Sequence, residues 1–123
     1  MKQAALRSAL ERLVTLAGIR GCALVESESG LVLLHHGEGE EALWEAAVDY
    51  WRMHHRLQAH FAALGPLSAA VMYHVRGALA VMPCQASPPL LVICVGELRQ
   101  TDWVSAQKQV RALSQQLAAP SAP

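Results

Sequence analysis

Leu90-Leu91-Val92-Ile93-Cys94-Val95 is an unbroken apolar run with no polar residue at any second position. A strand that leaves one face to water alternates, so this one is a central strand, buried on both faces. Its neighbours are legible on either side. Ser68 to Val75 and Ala78 to Gln85 precede it as strand-like runs, separated by the turn formers Arg76-Gly77 and Ala86-Ser87-Pro88-Pro89, and the three make a meander. Upstream, Ile19 to Glu26 and Leu31 to His36 flank Ser27-Glu28-Ser29-Gly30 and read as a hairpin. With 123 residues, two separate cores would each be too small, so the chain is expected to be one domain over residues 1–119, with 120–123 a flexible tail.

Three helices fill the intervals. Leu6, Leu10, Leu13 and Ala17 recur at helical spacing, and Gly18 stops them. Glu38, Glu40 and Glu41 crowd the start of a second helix, where the positive end of the helix dipole favours carboxylates. No Gly or Pro follows until Gly65-Pro66, so the pattern predicts about 25 helical residues spanning roughly 37 Å, longer than a domain this small needs. Leu43, Ala47, Tyr50, His54, Leu57, Phe61 and Leu64 form one seam on it. Trp44, Val48, Trp51 and His55 form a second beside the first, and Glu45, Asp49, Arg52 and Arg56 mark a solvent face. Two adjoining seams predict a helix covered on more than one side. Thr101 is expected to cap a last helix, with Asp102 in its first turn and Trp103, Ala106, Val110, Leu113 and Leu117 as its apolar stripe.

Composition narrows the functions open to such a chain. Ten basic residues balance ten acidic ones, and charged residues make up only 16% of the sequence against roughly 25% in ordinary soluble domains. No long-range field draws it to nucleic acid, and a surface so short of charge tends to associate. A homodimer is therefore expected, pairing the first helix seam through Leu43, Ala47, Tyr50, His54, Leu57 and Phe61. The uncharged strand adds Ala70 and Met72 to that interface. The N-terminus lacks an apolar stretch with a cleavage site, and Pro or Gly interrupts each long uncharged run, so a cytoplasmic protein without a membrane span is expected.

Candidate chemistry is sparse. Adjacent histidines at His35-His36 and His54-His55 diverge by about 100° if helical, and neither reaches His60 at a spacing of four. No metal is expected from that spacing. Cys22, Cys84 and Cys94 are an odd number inside apolar segments and read as reduced packing residues. Neither G-x-x-x-x-G-K-[ST] nor G-x-G-x-x-G occurs, so no nucleotide or other cofactor and no enzymatic activity are expected. Trp44, Tyr50 and Trp51 read equally as core residues or interface anchors.

The order helix, two strands, long helix, three strands, helix resembles the Roadblock/dynein light chain family. The resemblance rests on Gly18-Ile19-Arg20-Gly21-Cys22-Ala23-Leu24-Val25 leading to Ser29-Gly30, and on Gly77-Ala78-Leu79-Ala80-Val81-Met82-Pro83 leading to Leu90-Leu91-Val92. Ser29 stands where an Asp or Asn often precedes the turn glycine, and Leu98-Arg99-Gln100-Thr101-Asp102 replaces an Asn-Leu-Gly entry to the last helix. The resemblance implies an α+β fold, a three-layer α/β/α sandwich around a five-stranded antiparallel sheet, with the first and last helices on one face and the long helix on the other. It also implies dimers that pair long helices and third strands and act as noncatalytic platforms for small Ras-like GTPases or signalling complexes. The competing reading is a small-molecule sensory module, with Met53, Met72, Met82 and the histidines as possible lining. A filled core with a partner-sized surface favours the platform, an open cavity with convergent polar groups the sensor.

Overall fold

The computed structural model describes residues 3–118, so the tail expected over 120–123 lies outside the described residues. The elements follow in the order α1 (Gln3–Val14), β1 (Ile19–Glu26), β2 (Val32–Gly37), α2 (Glu41–Arg56), a 3-10 segment (Gln58–Leu64), β3 (Ala70–His74), β4 (Gly77–Ala86), β5 (Pro89–Gly96) and α3 (Trp103–Ala118). The five strands form one antiparallel sheet in the order β2-β1-β5-β4-β3. The unbroken apolar run is β5, and it occupies the centre.

Alternation along β1, β4 and β5 divides the core in two. Cys22, Leu24, Ala80, Met82, Val92 and Cys94 point to the face covered by α1 and α3, where Leu10, Leu13, Ala106, Val110 and Leu113 meet them. Ala23, Val25, Leu79, Val81, Leu91 and Ile93 point to the other face, where α2 supplies Trp44, Ala47 and Val48. The fold is thus α+β with three layers. β5 contributes residues to both cores, which is why its sequence shows no alternation.

The two sheet edges differ. In β2 the register with β1 slips between Leu24↔Leu34 and Val25↔Val32, leaving Leu33 as an extra residue in a bulge. A bulge bends the strand and disrupts a template for further pairing. β3 pairs with β4 without interruption from Ala70↔Val81 to His74↔Gly77, so its outer edge is regular, and Ala70 to Tyr73 carry no charge. Pro83 in β4 lies beyond the end of β3 in this register, where a strand tolerates the missing N–H.

Several local expectations are corrected. α1 ends at Val14 rather than running to Ala17, and the β3–β4 turn is centred on Val75-Arg76, with Gly77 already in β4. The cap of α3 is Asp102, not Thr101: Asp102 Oδ1 accepts the Ser105 N–H at 3.0 Å. The Ser105 hydroxyl and then its N–H, both hydrogen-bonding to it, hold the Asp102 carboxyl below its ordinary range. Thr101 instead donates to the Glu97 carbonyl at 2.6 Å and fastens the loop before the helix. Ser29 does the work of the expected Asp or Asn, its hydroxyl accepting the Leu31 N–H at 3.2 Å and donating to Glu26 at 3.0 Å.

The loop into α3 holds Gln100 at φ 63, the left-handed region that a residue with Cβ enters at a cost. Gln100→Gly is expected to stabilise the protein by up to about 1 kcal/mol, read as a rise in urea midpoint with unchanged slope. A fall in the midpoint would show that the Gln100 side chain offsets its own strain.

Candidate functional site

The single 25-residue helix expected between Glu41 and Gly65 is not what forms. α2 has 16 residues and stops at Arg56. Leu57 leaves helical geometry at φ −98, ψ 5, and a 3-10 segment follows that is itself kinked at Phe61, with φ −110, ψ 15. No residue from Gln58 to Leu64 is buried. Beyond Arg56 the helix therefore has no tertiary packing to hold it, and packing rather than propensity stabilises most helices. Leu57, Phe61 and Leu64 do not continue the first seam of α2. Phe61 instead folds back so that its ring stacks on His54 at 5.1 Å and 7°, while His54 stacks on Trp51 at 6.0 Å.

Within the protomer the buried face of α2 draws on both seams. The buried stripe takes Trp44 and Val48 from one seam and Ala47 from the other, with Leu43 and Trp51 partly buried beside them. Trp44 is 3% exposed and belongs to the core. Gly39 lies against its indole so closely that any side chain there would collide with the ring.

What remains of α2 has two unlike flanks. Glu41, Glu45, Asp49, Arg52 and Arg56 share one, by the rotation of about 100° per residue. Arg52 orients this flank toward β2: its Nε donates to the Ser27 carbonyl at 3.0 Å, its Nη2 to the Glu28 carbonyl at 2.9 Å, and its Nη1 pairs with Asp49 at 3.3 Å. α2 lies over β1, β5 and β4, so the opposite flank, with Leu43, Ala47, Tyr50 and His54, faces the β3 side of the sheet. There Met72 packs partly against the same core cluster, and Ala70 is half-buried. Six of the eight residues expected at a dimer interface thus share this side of one layer. The remaining two, Leu57 and Phe61, stand just past the helix end, 43% and 38% exposed.

The other candidates are placed apart. His35 and His36 are exposed on β2, and His55 and His60 are exposed around the end of α2. Among the described residues no group of three or more His, Cys, Asp or Glu is placed to hold a metal ion. Arg20 is paired with Glu38 at 3.0 Å, and Arg76 sits exposed in the β3–β4 turn. Met82 is buried in the α1–α3 core and Met53 is exposed, so the methionines named as cavity lining do not line one cavity. No helix among the described residues is long and apolar enough to cross a membrane.

All three cysteines are free and buried. Burial pushes the Cys22 thiol up to about 12 and Cys84 to about 11, and raises Cys94 as well, with Cys22 beside it adding to the effect. A thiol that stays protonated is neither nucleophile nor ligand. Two outcomes are expected: an aromatic disulfide reagent at pH 8 should label none of the three until denaturant is added, and stability should fall as pH rises above about 9. Unfolded thiols ionise there while folded ones remain protonated, so the unfolded state binds fewer protons and gains ground with pH. Labelling of the native protein would show that one thiol is reached by local opening.

No family model matches the chain, and no curated protein matches it in sequence. Its similarities lie in solved structures. A Roadblock/LC7 domain from Streptomyces avermitilis superposes with a TM-score of 0.75 at 14% identity, covering 90% of this chain and 92% of its own. The gliding protein MglB from Thermus thermophilus gives 0.74 at 16% identity, covering 94% and 91%. Myxococcus xanthus MglB gives 0.74 at 12% identity, covering 95% and 94%. TM-scores of 0.74 to 0.75 over at least nine-tenths of each chain agree across these comparisons, and the chain has the Roadblock/LC7 fold.

Proposed function

We propose that this chain is a noncatalytic homodimeric platform, cytoplasmic, that binds a small Ras-like GTPase or a comparable signalling complex. The observation that carries the reading is the side of the molecule where a regular, uncharged sheet edge at β3 continues into the apolar flank of α2. One edge is blunted by a bulge and the other is left open to pairing. A second copy placed there by a two-fold axis would extend the sheet across both protomers and cover Leu43, Tyr50, His54, Leu57, Phe61, Ala70 and Met72. An obligate dimer of this kind buries more than about 2,000 Å² in total. The fold shared with a protein named for gliding favours a role in assembling a motility or signalling complex, as the family resemblance implies.

The platform reading gains from the chemistry of the thiols, which burial keeps protonated. Arg76, exposed in its turn, is the side chain to test for any direct help to a partner's phosphate chemistry, since such help needs a cation reaching the transferred group. The experiment is to isolate the tagged chain from its native cytosol, identify partners by mass spectrometry, and measure GTP hydrolysis by any recovered GTPase with and without the chain. Recovery of a Ras-like GTPase that binds the purified dimer supports the reading. Recovery of no GTPase and no complex subunit overturns it.

A further inference from the structure

Beyond the pairing surface, an open groove of about 1080 Å³ lies at the C-terminal end of α2. Its walls are the last turns of α2, the 3-10 segment, the β1–β2 turn and the β4–β5 hairpin. Of the eight residues assigned to dimer pairing, only His54 and Phe61 line it, so most of the groove lies off the pairing flank. The space is large enough for a drug-sized molecule, for which pockets of roughly 300–1,000 Å³ suffice.

The lining is unlike in its parts. Trp51, Pro83 and Leu91 supply apolar surface, and the half-buried Trp51 indole already carries His54 and His55, the latter at 5.7 Å and 31°. Arg52 is held rigidly by two turn carbonyls and Asp49. Arg56, the last residue of the helix, makes no ion pair among the described residues. Glu28 is the one carboxylate in the lining, against the two arginines Arg52 and Arg56. An aromatic wall beside a fixed cation and an uncommitted guanidinium fits one chemistry better than its alternatives. A cationic ligand meets like charge, and a neutral one gains nothing from the exposed Arg56 guanidinium.

We propose that this groove binds a small planar aromatic anion, its ring against the Trp51 wall and its carboxylate or sulfonate on Arg56. The site does not depend on the platform reading. It places ligand binding at the end of α2, where the cavity opens, rather than between sheet and helix, where the core is filled.

The test uses the full chain with 2-naphthoate as the probe and 2-naphthamide as its uncharged counterpart, followed by calorimetry and ligand-observed NMR. Naphthoate is expected to bind saturably at one site per protomer and the amide at least about tenfold more weakly, the usual scale for one charge-assisted contact. Arg56→Gln is expected to reduce naphthoate binding about tenfold and to leave amide binding unchanged. Arg111→Gln, exposed on α3, is expected to change neither. Sedimentation is run on each variant, and Arg56→Gln is expected to keep the mass of the parent protein. Equal binding of acid and amide, an unchanged affinity in Arg56→Gln, or no saturation by about 1 mM would each overturn the proposal. So would loss of binding accompanied by a change of mass, which would make Arg56 a contact of assembly rather than of ligand. Failure of dimerisation with binding intact would count against the platform reading alone.

Discussion

Leu57→Asp is expected to turn the proposed homodimer into folded monomers. In one protomer Leu57 is 43% exposed, just past the end of α2, so a carboxylate there is hydrated and costs the isolated chain little. In the paired state the same carboxylate would be buried without a partner, and an uncompensated buried charge costs about 3–5 kcal/mol. A dissociation constant raised by at least about a hundredfold follows. Sedimentation velocity at micromolar concentration should report half the parent mass with an unchanged circular dichroism spectrum. Glu45→Lys, on the charged flank over β2, should keep the parent mass. A parent protein that is already monomeric would overturn the homodimer, and a Leu57→Asp variant that stays dimeric would remove the C-terminal end of α2 from the interface.

Trp44→Ala is the second large effect, and it acts inside the protomer. Trp44 is 3% exposed among Val25, Val48, Val81, Leu91 and Ile93, and it is the largest buried side chain of α2. Truncating a buried tryptophan costs about 3–5 kcal/mol, because the cavity left behind refills only in part. Against a typical stability of about 5–15 kcal/mol, that is enough to loosen α2 from the sheet. Urea denaturation at fixed protomer concentration should show the midpoint falling accordingly. Trp51→Ala, half-buried at the groove, should cost less than about 2 kcal/mol. Equal losses in the two variants would mean that the sheet face of α2 extends further along the helix than Trp44, Ala47 and Val48.

Much of this architecture was legible in residue order. β1 begins at Ile19 and ends at Glu26 as the hairpin pattern predicts, and the six-residue apolar run is the central strand. The stripe Ala106, Val110, Leu113 is the buried face of α3. Each of these is a case in which the period of burial is the period of the element, so hydrophobic spacing states directly what is covered. The cysteines follow the same logic: apolar neighbours in sequence became apolar surroundings in space.

The end of α2 was not legible, because nothing in Gln58 to Leu64 forbids a helix. The helix stops where burial stops, since no residue from Gln58 to Leu64 is buried, and Phe61 beyond it stacks on His54. Trp44 and Trp51 are equivalent as letters seven apart, and only their positions over the strands make one a core residue and the other the wall of a groove. The same holds for the arginines of one helical flank, where Arg52 reaches two turn carbonyls and Arg56 does not. Residue order alone set the elements, their succession and most of the faces they bury, since those follow from local periodicity. Where α2 ends, which sheet edge stays open, and which aromatic and basic side chains share a groove came from the folded arrangement, because they depend on contacts between segments far apart in the chain.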